Sequence, residues 1–150
     1  MALREKLEED IKESMRSHNQ ARLDGLRFLK NAVQAVEKER KTTLDDQAMI
    51  EVVTKQASDR RDSIKAFEEG GRTEMAAKEA AELKVLEEYL PPQMSADEIT
   101  QLIKNTAAEV GAASIQDKGK LMGKLMPQTR GKADGSVVNE MATAYLESLG

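Results

Sequence analysis

Glycine and positive charge combine most densely between residues 117 and 135. Gly119-Lys120-Leu121-Met122 is repeated at once as Gly123-Lys124-Leu125-Met126, and Pro127 follows. The chain continues through Arg130-Gly131-Lys132-Ala133-Asp134-Gly135. Lys118, Lys120, Lys124, Arg130 and Lys132 are set there against Asp117 and Asp134 alone. Cationic side chains beside glycine suit contact with phosphate. A loop glycine such as Gly131 lets backbone come close to an anion, and the helix start near Gly135 offers free amide donors and the positive end of a dipole. Asp134 can cap that start and competes for the same amides. The formal net charge is -4, so nucleic-acid contact would be a local property of this segment and not of the whole surface.

On a helix the repeat sorts its own letters. Four residues advance about 400°, so each letter forms a separate stripe. Leucine, methionine and glycine then cover one arc, and Lys120 and Lys124 stand side by side outside it. On the packing account, Leu121, Leu125, Met122 and Met126 fill a core. Gly119 and Gly123 let another helix approach closely, which offsets roughly 1 kcal/mol of helix propensity apiece. The functional content is then the lysine pair and the Arg130-Gly131-Lys132 loop beyond Pro127, which stops the run. A nucleotide-binding P-loop is excluded. The glycine spacing is short, Leu125 stands where a magnesium-binding hydroxyl belongs, and no strand precedes it.

Other chemistry is sparse. The chain has no cysteine and one histidine, His18, so no zinc ligand set exists, and no metal or cofactor is expected. His18 sits in a polar stretch that reads as an exposed turn. No Ser or Thr has an evident base partner, and no catalytic residue is assigned. The carboxylates of Glu8-Glu9-Asp10, Asp45-Asp46, Glu68-Glu69 and Glu87-Glu88 read as solvated helix faces. Arg60-Arg61 lies between Asp59 and Asp62, the pattern of an intrahelical charge network. Phe28, Phe67, Tyr89 and Tyr145 are the whole aromatic set, too few for a single-strand stacking platform.

These residues need a scaffold, and its periodicity is helical almost throughout. Leu3, Leu7, Ile11 and Met15 form a first stripe; Leu23, Leu26, Leu29, Val33 and Val36 a second. Ile50, Val53, Ala57, Ile64 and Phe67 form a third behind Asp45, a capping residue, and Gly70-Gly71 ends it. Ala76, Ala80, Leu83, Leu86 and Leu90 form a fourth. Pro91-Pro92 interrupts the chain. Ser95-Ala96-Asp97-Glu98 is a capping box opening a fifth helix along Ile99, Leu102, Ile103 and Val110 to Gly111. Ser114 can cap a sixth, and Asp134 a seventh along Val138, Met141, Ala142, Tyr145 and Leu149. The expectation is an all-α protein: an N-terminal helical bundle of two long hairpins over residues 1–91, then a small three-helix domain over residues 94–150. Nothing approaches membrane-spanning length. Met1 to Met15 is acidic and periodic, unlike a secretory or mitochondrial leader. With no cysteine, a cytoplasmic protein is expected.

Several segments in order resemble bacterial YqeY-like proteins. They are Gln56-Ala-Ser-Asp-Arg-Arg-Asp-Ser-Ile64, Phe67-Glu-Glu-Gly-Gly-Arg72, Glu79-Ala-Ala-Glu-Leu83 and Glu88-Tyr-Leu-Pro-Pro-Gln93, followed by the Gly119–Met126 repeat and Arg130–Gly135. The resemblance spans nearly the whole chain. It implies an all-α, two-part fold and kinship with the C-terminal tail of GatB, the tRNA-binding subunit of a glutamine-dependent tRNA amidotransferase. In that enzyme the tail region contacts tRNA, and the transamidation chemistry resides in another part of GatB. The family is often labelled a carbon–nitrogen ligase with glutamine as amido donor, but this chain has no room for the catalytic part. The resemblance therefore implies a non-catalytic module for tRNA or other structured RNA, with Lys118 to Lys132 as its contact segment. Two alternatives stand beside it: a component of the tRNA-amidation machinery, and a protein-interaction module with no nucleic-acid role.

Overall fold

A computed structural model describes residues 2–150. Met1, where the reading of the acidic N-terminal segment begins, lies outside the described residues. Among those residues the ordered elements are helical: α1 (Ala2–Arg16), α2 (Gln20–Arg40), α3 (Asp46–Glu69), α4 (Thr73–Glu87), α5 (Ala96–Val110), a 3₁₀ turn (Ile115–Asp117), α6 (Lys118–Thr129) and α7 (Gly135–Leu149). Helices start where side chains satisfy free amides. The Ala48 amide donates to Asp45 Oδ1 at 2.8 Å. Ser95 and Glu98 exchange both bonds of a capping box. Gly111 ends α5 in the left-handed conformation, φ 71°, which glycine adopts at no steric cost.

The chain divides into two units, Met1–Pro91 and Pro92–Gly150. The first contains α1 to α4 around Leu7, Leu26, Leu29, Val33, Met49, Val53, Ala57, Leu86 and Tyr89. Polar contacts tie its helices together. The Tyr89 hydroxyl donates to Asp10, and Lys6 Nζ lies 3.8 Å from the Tyr89 ring centroid. Arg22 forks onto Glu88 at 2.6 and 3.1 Å. The second unit contains α5, the 3₁₀ turn, α6 and α7 around Ile99, Ile103, Leu121, Leu125, Val138, Ala142 and Leu146. No described helix is long and apolar enough to cross a membrane.

The structure departs from the sequence expectations in several places. Met15 is half exposed, and Ser14 is buried instead. Steps of four residues drift about 40° each, so the stripe Leu7–Ile11 continues to residue 14 and not to 15. Arg60 is not in an intrahelical network. It crosses to α4 and meets Glu79 and Glu82 at 2.7 and 2.6 Å, because its position on α3 faces the next helix. Ser114 precedes the 3₁₀ turn and not α6, which begins at Lys118.

Pro127 does not stop the repeat helix, which runs on to Thr129. Its ring removes one donor and crowds the carbonyl four residues back. That carbonyl belongs to Gly123, on the exposed side of α6, where it can turn to water.

Candidate nucleic-acid interface

The faces of α6 are set by how much core three helices need. Leu121, Leu125 and Thr129 are buried, and Met122 and Met126 are half-buried. Those residues span about 140° of the helix. The remainder, Gly119, Lys120, Gly123, Lys124, Pro127 and Gln128, is exposed. Lys120, Lys124 and Gln128 form one column and Gly119, Gly123 and Pro127 the column beside it.

The packing account of the glycines is therefore corrected. A Cβ added at Gly119 or Gly123 would meet nothing within 4 Å, so no other helix uses the space they leave. Counting glycine with leucine and methionine made the apolar arc too wide. The glycines instead share the solvent face with the lysines and leave backbone bare between them. The other two glycines have local reasons. Gly131 is buried at φ 77°, a left-handed turn that suits glycine. Gly135 opens α7, with the Met126 methyl 3.4 Å from where its Cβ would stand.

The predicted basic residues do not all converge. Lys118 lies about 160° round the helix from Lys120 and is half-buried at the start of α6. It is on the core side and leaves the strip. Lys120 and Lys124 are exposed neighbours. Arg130 caps the end of α6 and is exposed, as is Lys132 in the following loop. Lys120, Arg130 and Lys132 form no ion pair among the described residues. Lys124 Nζ lies 3.4 Å from Glu109 Oε1 of α5, with both side chains more than half exposed, a geometry worth little in water.

Asp117 stays ionised beside this strip. Its carboxylate accepts the Ala113 and Ser114 amides. These bonds, led by Ala113 and with Lys120 adding attraction, hold its pKa below the usual carboxylate value. Asp134 accepts the Ser136 amide at 3.2 Å and the Ser136 hydroxyl at 3.1 Å. It fills the α7 start, so that terminus offers no open anion site.

The loop after α6 is clamped rather than loose. The Met94 amide donates to the Lys132 carbonyl at 2.8 Å, and Gln93 Nε2 donates to the Gly131 carbonyl at 2.9 Å. These bonds place Lys132 at the mouth of an open cavity of about 680 Å³ whose lining includes Met94, Leu102 and Gln128. Gln128 was not singled out from the sequence, although its four-residue step from Lys124 marks it. A second cavity, about 610 Å³ and lined by residues of α2 and α4, sets Arg22, Lys78 and Lys84 against Asp24, Glu82 and Glu88. Its balanced charge does not favour phosphate. Among the described residues no cluster of His, Cys, Asp and Glu could hold a metal ion, and His18 is exposed in the α1–α2 turn.

Comparison with known proteins agrees with the order of motifs. The profile described as Yqey-like protein matches residues 4–146. Altered inheritance of mitochondria protein 41, mitochondrial, from Pyrenophora tritici-repentis (strain Pt-1C-BFP) is 30% identical over 130 residues. That match covers 85% of this chain and 71% of the fungal protein. With its sequence matched almost end to end, this all-helical chain belongs to the YqeY-like family.

Proposed function

We propose that the Pro92–Gly150 unit is a non-catalytic module that binds structured RNA, tRNA above all, along the exposed face of α6. One observation carries this reading. Two glycines stand on a solvent face beside the exposed Lys120 and Lys124, and among the described residues nothing packs on them. Together they cost the helix roughly 2 kcal/mol against alanine. A ligand backbone lying on bare helix, with Lys120 and Lys124 at its phosphates, would account for them. Arg130 and Lys132 extend the strip. Except for Lys104, every basic residue of this unit falls between Lys118 and Lys132. Kinship with the GatB tail supports the same ligand class.

The test is tRNA binding across a salt series. Lys120, Lys124, Arg130 and Lys132 can make up to four phosphate contacts, which corresponds to a log–log salt slope of about -3 to -3.5. The expected result is that changing all four to alanine flattens the slope and weakens binding at low salt. Unchanged affinity and slope in that variant would remove α6 from the interface. Binding that depends on a protein partner and survives nuclease treatment would favour the protein-interaction alternative.

A further inference from the structure

We infer that the cavity beside Lys132 receives one unpaired base of the RNA whose phosphates lie along α6. The inference rests on the RNA-binding reading of that helix and adds a second kind of contact to it. Lys120, Lys124 and Gln128 follow one another at about 6 Å of helix rise. The clamped loop then carries Lys132 onward to the cavity rim. A nucleic-acid strand following this column arrives at the cavity.

The lining suits a flat, uncharged ring better than a phosphate. Half-buried Met94 and Leu102 supply apolar walls. Lys132 and Glu98 are the charged residues of the lining, one of each sign. The carboxylate of Glu98 is itself engaged, because its Oε1 accepts the Ser95 amide at 3.1 Å. Gln128 turns its amide nitrogen inward to the Lys124 carbonyl at 2.9 Å. That bond fixes the amide group and presents its oxygen as an acceptor for a base amino or imino group. The volume lies in the range of small-ligand pockets.

The walls are aliphatic, and Tyr145, the aromatic residue of this unit, packs against its core. The site therefore has the means to hold one base, not a stacked run of them. The ligand class is a double-helical RNA with a single unpaired nucleotide beside the paired region.

The experiment uses the full chain and two labelled RNA hairpins, identical except that one carries a single-nucleotide bulge containing 2-aminopurine. The expected result is about fivefold tighter binding of the bulged hairpin, with a change in 2-aminopurine emission on binding. Gln128→Ala and Leu102→Gln should each remove the preference for the bulged hairpin. Gln128 is exposed, so its variant keeps the test sound even where Leu102→Gln fails to fold. Lys120→Ala with Lys124→Ala should weaken both hairpins alike. Equal, lysine-dependent affinity for the two hairpins would overturn the base site and leave the phosphate strip standing. A preference that survives both cavity variants would overturn it too. Salt-independent or absent binding to either hairpin would sink the RNA reading and this inference together.

Discussion

The best-buried arginines of the first unit and the exposed cations of the second use positive charge in opposite ways. In the Met1–Pro91 unit Arg4, Arg22 and Arg60 are fastened between helices. Arg4 bonds Glu37 and the Leu44 carbonyl, Arg22 forks onto Glu88, and Arg60 joins Glu79 and Glu82 with its guanidinium 4.6 Å from the Phe28 ring centroid. In the Pro92–Gly150 unit Lys120, Lys124, Arg130 and Lys132 stand in water, and Lys124 has one weak partner in Glu109. Charge density alone does not separate the two cases, since Arg60-Arg61 is as dense locally as anything near residue 120. Pairing does. A cation satisfied by carboxylates of its own fold is spent on stability, whereas one left in solvent beside bare backbone is available to a ligand.

The strongest test of this contrast is to remove one cation of each kind. Arg60 is only 12% exposed, and its partners Glu79 and Glu82 are about a fifth exposed. Arg60→Ala leaves two largely buried carboxylates facing each other and should cost about 2–4 kcal/mol in urea unfolding. Lys120→Ala should stay within about 0.5 kcal/mol of the parent. Similar losses for the two variants would erase the distinction.

A smaller effect, of opposite sign, comes from the glycines. Gly119→Ala with Gly123→Ala adds two methyl groups to open space. The pair should raise stability by about 1–2 kcal/mol while lowering RNA affinity, because the bare backbone is then covered. Stability gained with affinity unchanged would mean that the glycines serve no ligand.

The smallest effect is the pH response of the polar clasp in the first unit. Burial raises the Asp10 pKa. The Tyr89 hydroxyl, Lys6 and Arg22 outweigh that and bring it below its ordinary 3.8. Glu37 is likewise held below 4.5, chiefly by the Leu44 amide and, against some burial, by Arg4. A depressed folded pKa stabilises the fold fully above the unfolded value and loses that contribution as pH falls through the folded one. Stability should therefore fall below about pH 4, and Asp10→Asn should make that fall shallower. Carboxyl titration of Asp10 by NMR checks the direction, and a value at or above 3.8 would contradict it.

The ends of elements were legible in the sequence wherever a single side chain or glycine decides them. Asp45, Ser95 with Glu98, Gly111 and Asp134 all act within a few residues of themselves. Readings that depended on what lies across a helix went wrong. Ser14 and not Met15 reaches the core, Arg60 finds α4 and not its own neighbours, and Lys118 falls on the inner side of α6. Pro127 misled for a related reason: its cost depends on whether the carbonyl it frees can meet water.

The sequence by itself determined the helical class, the caps, the break at Pro91-Pro92 and the place where lysine and glycine gather. Those follow from backbone periodicity and local hydrogen bonding. Only the tertiary structure decided which side of α6 is solvent. To the core of three helices α6 contributes Leu121, Leu125 and Thr129 with help from two methionines, so the rest of its circumference, glycines included, faces outward. It also decided that Lys132 stands at a cavity. That placement depends on hydrogen bonds from residues 93 and 94 to a loop nearly forty positions away, which no local pattern encodes.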